Sequence, residues 1–228
     1  MVTQDIGTEP WRARLSLPVY TVGAAARYAE TNTQRVSYWQ RGGGDGQAAT
    51  LSRSANTRLL SYLELIEVAV VATMRSLGVP LVRIRRAREY AVKELKTQHP
   101  FADYNWKSKG LHLLLQLREL EPDAQVDNAI IGDTHGQMAW HGMVTERFGE
   151  FDYEGGLVLT WHPRGRDNGV TIDPRIVFGT PAVRGVPTWA IRQRYEAGQT
   201  QEDIVDDFRL DVKDVMDALT FEGLRPSR

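Results

Sequence analysis

Cysteine is absent from the 228-residue sequence. This absence excludes disulfide bonds, thiolate zinc sites, iron–sulfur clusters and a cysteine nucleophile. Long apolar runs are also absent, since the longest, from Val68 to Thr73, is far shorter than a membrane span. The first ten residues are polar and lack the apolar segment of a secretory signal. We therefore expect a soluble, cytoplasmic protein that does not insert into a membrane.

Charge is nearly balanced overall but is divided unevenly along the chain. Residues 1–118 contain 17 Lys and Arg against 9 Asp and Glu, whereas residues 119–228 contain 11 against 20. The hydrophobic fraction of 42% is enough to bury a core. A basic N-terminal half suits contact with nucleic acid, and an acidic C-terminal half suits a basic partner or the basic half of another copy.

Two short helices are predicted between residues 18 and 42. Thr21 is a candidate N-cap of the first helix, and Asn32 or Thr33 can cap the second after a short turn. The spacing of the second helix places Val36 and Trp39 on one face.

Two helices joined by a turn of about three residues form a helix-turn-helix, whose second helix lies in the major groove of DNA. Residues 41–46 form a glycine-rich tip after it, which suits a wing that reaches a phosphate or a plain loop. Polar side chains suited to base edges and phosphates lie on the second helix: Thr33, Gln34, Arg35, Ser37 and Tyr38. The same pattern also fits two ordinary surface helices with a polar outer face.

A long helix pair is predicted next. The first helix runs from Asn56 to Leu77 and is ended by Gly78 and Pro80. Its apolar seam consists of Leu59, Leu63, Ile66, Val70, Met74 and Leu77. The second helix begins at Leu81 and turns basic side chains outward, which suits phosphate contact, an ordering role within the domain or a solvated face. The arginines singled out are Arg83, Arg85, Arg86 and Arg88.

Short apolar runs bounded by Gly, Asp and Pro predict a small antiparallel sheet in the middle of the chain. The predicted strands are 111–117, 125–131, 137–144 and 157–163, with turns at Gly132 and Gly155–Gly156. The first of these runs also fits a helical period. Residues 164–169 are polar and contain glycine, which is typical of a boundary.

Two or three very short strands and three helices are predicted to close the chain. The helices are Thr188–Ala197, Gln201–Phe208 and Val212–Phe221, and the last two open with capping boxes at Thr200/Asp203 and Asp211/Asp214. This unit has a helix-turn-helix shape, but residues 196–217 contain eight acidic side chains against Arg209 and Lys213. Such a face repels phosphate, so it favours contact with a protein.

The stretch IIGDTHGQ at residues 130–137 resembles the opening motif of calcineurin-like metallophosphoesterases, in which metal-activated water attacks a phosphoester. The further motifs of that family are missing, so we interpret Gly132–Asp133 as a hairpin turn. Asp133, His135 and His141 could bind an adventitious metal ion. No other catalytic motif occurs, and the histidines His99, His112 and His162 are scattered.

Residues 172–222 resemble a small family of domains of unknown function that occur as antitoxin components beside PIN-like toxin genes. The shared pattern includes IDPRIVFG and the later GQTQEDI, but Val186–Pro187 replace the family's Thr-Arg. Upstream, YTVGAAARYAETNTQRVSYW resembles the first helix-turn-helix of MerR-type regulators, and residues 59–91 resemble the segment that comes after it in long antitoxins. Together these resemblances imply a VapB-type antitoxin.

The expected fold is α+β and mainly α, in three parts. Residues 1–110 are expected to form a winged helix-turn-helix with a long helix pair, residues 111–165 a small central antiparallel sheet, and residues 166–228 an acidic tri-helical module shaped like a helix-turn-helix.

The resemblance implies a non-catalytic protein that neutralises a PIN-domain ribonuclease toxin and represses its own operon. Expected partners are the cognate toxin, operator DNA and a second copy; no cofactor or metal is expected in this chain, because magnesium belongs to the toxin. An inserted arginine could block the toxin's carboxylate cluster, and the candidates are Arg164, Arg166, Arg225 and Arg228. The alternative is a stand-alone dimeric MerR-like regulator whose copies pair through the seam from Leu59 to Leu77.

Overall fold

A computed structural model describes residues 11–41, 49–51, 59–103 and 149–225. These residues form an α+β structure that is mainly helical, as the sequence predicts. The helices are α1 (Val22–Tyr28), α2 (Thr33–Arg41), α3 (Tyr62–Ser76), α4 (Leu81–Leu95), α5 (Thr188–Glu196), α6 (Gln201–Phe208) and α7 (Val212–Phe221). The strands are β1 (Tyr20–Thr21), β2 (Leu59–Leu60), β3 (Phe151–Glu154), β4 (Leu157–Trp161), β5 (Val170–Thr171), β6 (Ala182–Val183) and β7 (Val186–Pro187). Short 3₁₀ helices occur at Arg12–Ser16, Pro100–Ala102 and Val177–Gly179.

Helix α3 lies at the centre of the fold. Every residue from 61 to 71 is buried, which is the pattern of a helix surrounded by protein on all sides. It contacts α1, α4, β2, β4 and the short helices at Arg12–Ser16 and Pro100–Ala102. From Leu63 to Met74 the predicted seam is therefore buried against other parts of the same chain. The prediction that this seam pairs two copies is wrong.

The prediction that this helix begins at Asn56 is also wrong. Leu59 and Leu60 form strand β2, which pairs antiparallel with Tyr20 and Thr21 of β1. The helix begins after Ser61, whose hydroxyl accepts from the Glu64 amide while the Glu64 carboxylate accepts from the Ser61 amide. Both members of this capping box are buried, so the helix start is fixed from within the core.

A carboxyl group is buried where α3 meets α4. Glu67 is 0% exposed, and its carboxylate lies 4.0 Å from Arg88 Nε and 3.5 Å from His99 Nδ1. Arg88 also donates to the carbonyl of Gln98 at 3.1 Å. Arg88 and His99 thus meet the buried carboxylate where the short helix Pro100–Ala102 packs on α3.

Two further small sheets come after α4 in the described chain. Strands β3 and β4 form a hairpin turned by Gly155 and Gly156, both at positive φ. The predicted turn is confirmed, and the strand predicted at 157–163 is confirmed as far as Trp161. Trp161 bridges to Ile172 and links this hairpin to the second sheet, in which β6 lies between β5 and β7. Arg41, the first residue of the predicted wing at 41–46, ends α2. The rest of that wing and the predicted strands 111–117, 125–131 and 137–144 lie outside the described residues.

Helices α5, α6 and α7 lie where the sequence predicts them. Both predicted capping boxes are present, at Thr200 with Asp203 and at Asp211 with Asp214. Gly198 and Gly223 come after α5 and α7 with positive φ, as expected of residues that end helices. Their core residues, Ile191, Ile204, Val215, Ala218 and Leu219, are each 0% exposed.

Helix α1 contacts the C-terminal end of α7. Tyr28 of α1 stacks on Phe221 of α7 with ring centroids 5.6 Å apart. Arg27 donates to the Glu222 carboxylate at 3.0 Å, and the Thr188 hydroxyl donates to the other oxygen of Glu222 at 2.6 Å. Glu222 therefore ties α1 to α5 and α7.

A second set of contacts joins the same regions through tyrosine hydroxyls. Tyr20 donates to the Gly179 carbonyl at 2.8 Å, and Tyr62 donates to the Leu159 carbonyl at 2.8 Å. Burial raises the pKa of both phenols well above the ordinary value, so both remain protonated donors at neutral pH.

Candidate functional site

Helix α2 turns a polar face to solvent. Its amino terminus is held by Asn32, whose side-chain oxygen accepts from the Arg35 amide at 2.8 Å. Val36 and Trp39 are 0% and 2% exposed, which confirms the predicted inward face and leaves the polar residues on the other side. Of the five residues expected to face DNA, four are exposed and one is half-buried: Thr33, Gln34, Arg35 and Tyr38 are exposed, and Ser37 is half-buried.

The start of α1 and the turn between α1 and α2 are each fixed by side-chain contacts. Thr21 caps α1 by accepting from the Ala24 amide at 3.0 Å, as the sequence predicts. Glu30 adopts a left-handed conformation, with φ of 50°. Its carboxylate is 3.3 Å from Arg164 Nε, and Arg164 also donates to the Tyr28 carbonyl at 3.2 Å. The turn is thus clamped by a residue from a distant part of the chain.

Arg85 supports α2 from behind instead of pointing outward. It is 7% exposed, so its predicted place on the outer face of α4 is wrong. Its Nε donates to the hydroxyl of buried Thr50 at 3.0 Å, and its guanidinium lies 5.6 Å from the centroid of Tyr38. Thr50 in turn donates its amide to the Trp39 carbonyl at 2.8 Å. Arg85 therefore orders the end of α2, which is the second role that the sequence suggests for these arginines.

The other arginines of α4 differ in their access to solvent. Arg88 is half-buried and engaged with Glu67 and Gln98. Arg83 is half-buried, whereas Arg86 is exposed. The basic footprint of this helix is therefore smaller than its composition indicates, because Arg85 and Arg88 are used inside the fold.

Arg164 and Arg166, two of the expected toxin contacts, are engaged within the chain. Burial lowers the pKa of Arg164, and the nearby Glu30 carboxylate opposes this shift. Arg166 donates to the Gly149 carbonyl at 2.7 Å and pairs with Asp152. Burial raises the pKa of Asp152, but hydrogen bonds from Arg166 and His162 outweigh it and the net pKa is lowered. Both arginines thus hold the segment between β4 and β5 against its neighbours.

The end of the described chain offers a different environment. Arg225 is exposed, and Arg228 lies outside the described residues. Just before Arg225, Leu224 donates its amide to the Leu219 carbonyl at 2.9 Å and packs on the core. The ordered core therefore extends to Leu224 and leaves Arg225 in solvent.

The exposed face of α6 carries carboxylates without cationic partners among the described residues. Glu202 and Asp206 are both exposed and stand one helical turn apart. Other acidic residues nearby are occupied: Asp217 pairs with Lys213, and Asp211 and Asp214 pair with Arg184. The hydrogen bond from Lys213 to Asp217 raises the pKa of the lysine.

Asp173 forms a buried polar centre that we did not predict from the sequence. It is 2% exposed and accepts from the Arg175 guanidinium at 2.7 Å and from the Thr160 hydroxyl at 2.8 Å. Burial raises its pKa, but these hydrogen bonds and one from the Arg175 amide outweigh that effect, so the net pKa lies below the ordinary value. The adjacent carbonyl of Pro174 accepts from Arg14 at 3.3 Å. The sequence signal for this centre is the Asp-Pro pair in the IDPRIVFG stretch, which supplies both the buried carboxylate and the carbonyl that accepts from Arg14.

Neither a metal site nor a membrane span is found in the described parts of the chain. Within them, no three His, Asp or Glu side chains come together in an arrangement that could hold a metal ion. None of their helices combines the length and apolarity needed to cross a membrane. The metallophosphoesterase-like stretch at 130–137 and its histidines lie outside these residues. His162, by contrast, is described, and its Nε2 lies 2.9 Å from Oδ2 of Asp152.

Comparison with known proteins relates this chain to antitoxins. Residues 170–221 match the family described as "Protein of unknown function (DUF433)". A Mycobacterium tuberculosis protein named "Putative antitoxin VapB45" is 23% identical over 93% of this chain and 97% of its own length. The X-ray crystal structure of Rv2018 from Mycobacterium tuberculosis has a TM-score of 0.71 at 21% identity, covering 90% of this chain and 99% of that one. The chain thus shares the fold of Rv2018 and is similar, over nearly its whole length, to a VapB-type antitoxin.

Proposed function

We propose that this protein is a non-catalytic antitoxin that binds and neutralises a PIN-domain ribonuclease toxin and represses its own operon. In this proposal residues 1–110 contain the DNA-binding part, a helix-turn-helix formed by α1 and α2. Residues 111–165 connect it to an acidic, protein-binding part at 166–228. The protein acts in the cytoplasm. It is proposed to be a dimer, because operators are commonly palindromic and dimers bind two half-sites.

The observation that carries the antitoxin proposal is similarity that extends over almost the entire length of both proteins. An isolated DNA-binding domain shared with an otherwise different protein would not produce this coverage. The acidic surface of α6 adds physical support, because exposed carboxylates such as Glu202 and Asp206 repel nucleic acid and attract a basic protein surface.

The DNA-binding proposal rests on the exposed face of α2. Arginine pairs with guanine and glutamine with adenine through two hydrogen bonds each. Gln34 and Arg35 are exposed in the first turns of α2, the part of a recognition helix that meets base edges. Arg83 and Arg86 on α4 are proposed to neutralise backbone phosphates.

The first experiment measures fluorescence anisotropy of the purified protein on its own upstream DNA and on a scrambled duplex, over a series of salt concentrations. We expect preference for the native duplex, weakening with salt, and a loss of about 1–3 kcal/mol of discrimination in Arg35→Ala. Arg194→Ala is the matched control, because Arg194 is also exposed but lies on α5. Equal weak binding to both duplexes would refute the DNA-binding part of the proposal.

Toxin contact is proposed first for two arginines near the end of the sequence. Arg225 and Arg228 are the better candidates, because Arg164 and Arg166 already hold partners inside the chain. A flexible arginine can insert between carboxylates and form two parallel hydrogen bonds.

The toxin proposal requires a PIN-like gene beside this one, and it is tested with the protein that such a gene encodes. We expect the two proteins to co-elute and the full chain to stop RNA cleavage by the toxin. Deletion of residues 225–228 preserves the packing of Leu224, so the truncated protein should fold, and we expect it to inhibit the toxin less. Full inhibition by this truncation would exclude the terminal arginines, and failure to co-elute would favour the stand-alone regulator.

A further inference from the structure

A cleft of about 430 Å³ opens beside the polar face of α2, between that helix and the junction of α3 with α4. Gln34, Arg35 and Tyr38 line it from α2, and Arg75 and Ser76 line it from the last turn of α3. Trp39, Ala72 and Leu81 supply apolar parts of its wall. The cleft therefore combines two guanidinium groups, two side-chain amides and two aromatic rings in one concave surface.

The charges in the cleft favour an anion. Glu30 is its only carboxylate among the described residues, and that carboxylate is paired with Arg164 at 3.3 Å. Arg75 uses one nitrogen to donate to the Val79 carbonyl at 2.6 Å, and its other N–H groups have no partner among the described residues. The guanidinium of Arg35 is likewise without a partner there. Two positive charges thus face the cleft with most of their donors available.

The other polar groups add hydrogen-bonding capacity without competing for these arginines. Ser76 donates its hydroxyl proton to the Thr73 carbonyl at 2.8 Å, and the side-chain oxygen of Asn32 is occupied as the cap of α2. Tyr38 is held from behind by the buried Arg85. Gln34 has no partner among the described residues and can donate to an oxygen anion.

We infer that this cleft binds a phosphate group with Arg75 as its ligand, while Arg35 adds positive charge to the cleft and keeps its proposed contact with a base. This inference rests on the proposed DNA-binding function, because the phosphate is taken to come from the backbone of the duplex next to α2. The planar guanidinium of arginine presents a fork of donors that matches phosphate oxygens, and the anchored nitrogen of Arg75 reduces the conformational freedom lost on binding. Arg75 would then extend the DNA footprint from α2 to the end of α3.

The DNA arm of the test compares Arg75→Gln with Arg194→Gln, which removes the same charge from α5. Loss of one phosphate contact should weaken binding to the native and the scrambled duplex by the same factor, about tenfold near 0.1 M salt, and reduce the salt slope by about 1. Arg35→Ala should instead weaken the native duplex more than the scrambled one. Arg75→Lys retains the charge and should recover most of the salt slope.

A second arm uses inorganic tripolyphosphate and needs no DNA. We expect it to raise the melting temperature of the wild-type protein and of Arg194→Gln, but not of Arg75→Gln. The melting temperature without ligand and the far-ultraviolet circular dichroism spectrum show whether Arg75→Gln folds.

The two arms distinguish failure of the proposed function from failure of the cleft. If the wild-type protein does not bind DNA but tripolyphosphate stabilises it through Arg75, the cleft takes a free phosphate compound and only the DNA source is refuted. A uniform loss of DNA affinity in Arg75→Gln supports the backbone as the source. If Arg75→Gln matches the wild type in both arms, the inference is overturned.

Discussion

Two pairs of short helices, α1–α2 near the start of the chain and α6–α7 near its end, have the same local construction but opposite surfaces. In both pairs a side-chain cap opens the second helix, Asn32 for α2 and Asp211 for α7. Helix α2 turns Gln34 and Arg35 to solvent, whereas α6 turns Glu202 and Asp206 outward. Since phosphate is attracted to the first surface and repelled by the second, the shape of a helix pair does not by itself indicate nucleic-acid binding.

The regions also differ in what their charged residues do. In the basic N-terminal region, Arg85 and Arg88 turn inward to order α2 and to meet Glu67. In the acidic C-terminal region, many carboxylates cap helices or pair with arginines, as Asp203 and Asp214 do. A count of charges along a helix therefore overstates the electric field at its surface in both regions. The difference in surface charge between the two regions comes from the residues that remain exposed.

The largest expected effect comes from breaking the contact that joins the two regions. Gly179 has φ of 79°, and a Cβ placed on it would clash with the Tyr20 hydroxyl oxygen. We expect Gly179→Ala to lower the free energy of unfolding by about 3–5 kcal/mol, because it adds an overpacking clash to a strained backbone. The measurement is equilibrium unfolding in urea.

Gly185→Ala is the matched control for this substitution. Gly185 has φ of 85°, but no heavy atom lies within 4 Å of the position that the added methyl group would take, so only the backbone strain applies. We expect a loss of about 1–2 kcal/mol. Equal losses in the two variants would mean that the contact between Tyr20 and Gly179 does not constrain the fold.

The next effect concerns the buried carboxylate of the C-terminal region. The pKa of Asp173 is lowered in the folded protein, so its contribution to stability is present above the unfolded-state pKa and is lost as pH falls through the folded pKa. We expect Asp173→Asn to cost about 2 kcal/mol at pH 7, since a buried ionic hydrogen-bond acceptor is removed. The difference from wild type should shrink below about pH 4. A constant difference from pH 7 to pH 3 would contradict the role of the ionised group.

Capping and local spacing explain which parts of this fold can be predicted from the sequence. The caps at Thr21, Thr200 and Asp211 depend on residues that are close neighbours in the chain, and each of these caps is observed. The start of α3 depends on pairing between Leu60 and Tyr20, which are far apart in the chain, and this pairing overrides the helical spacing before Ser61. Periodicity therefore predicts the type of element better than its boundary.

The candidate site shows the same limit. Periodicity predicts the exposed and buried faces of α2, because both are defined within one helix. It does not predict that Arg85 is covered by the segment containing Thr50, or that Arg164 clamps the turn at Glu30, because both contacts join distant parts of the chain. Neighbouring arginines with the same local sequence context thus have different roles.

Two neighbouring arginines of α4 test this distinction. Arg85 is buried and bonded to Thr50, whereas Arg86 is exposed. We expect Arg85→Ala to lower the free energy of unfolding by about 2 kcal/mol, because it removes a packed stem and leaves the Thr50 hydroxyl without its donor. Arg86→Ala should change stability by less than about 0.5 kcal/mol and reduce the salt slope of DNA binding by about 1. Similar stability losses in urea unfolding would mean that burial does not separate their roles.

The smallest expected effect lies on the acidic surface of α6. Asp206 is exposed and has no partner among the described residues, so Asp206→Asn should change the free energy of unfolding by less than about 0.5 kcal/mol. If the C-terminal region stays away from DNA, the same variant should bind the upstream duplex within about twofold of wild type, because charges beyond a Debye length of about 8–10 Å are screened. Arg35→Gln, measured in the same anisotropy titration, should weaken that binding. A clear gain of affinity in Asp206→Asn would place the acidic helix close to the duplex, and the division between a DNA-facing and a protein-facing pair of helices would no longer hold.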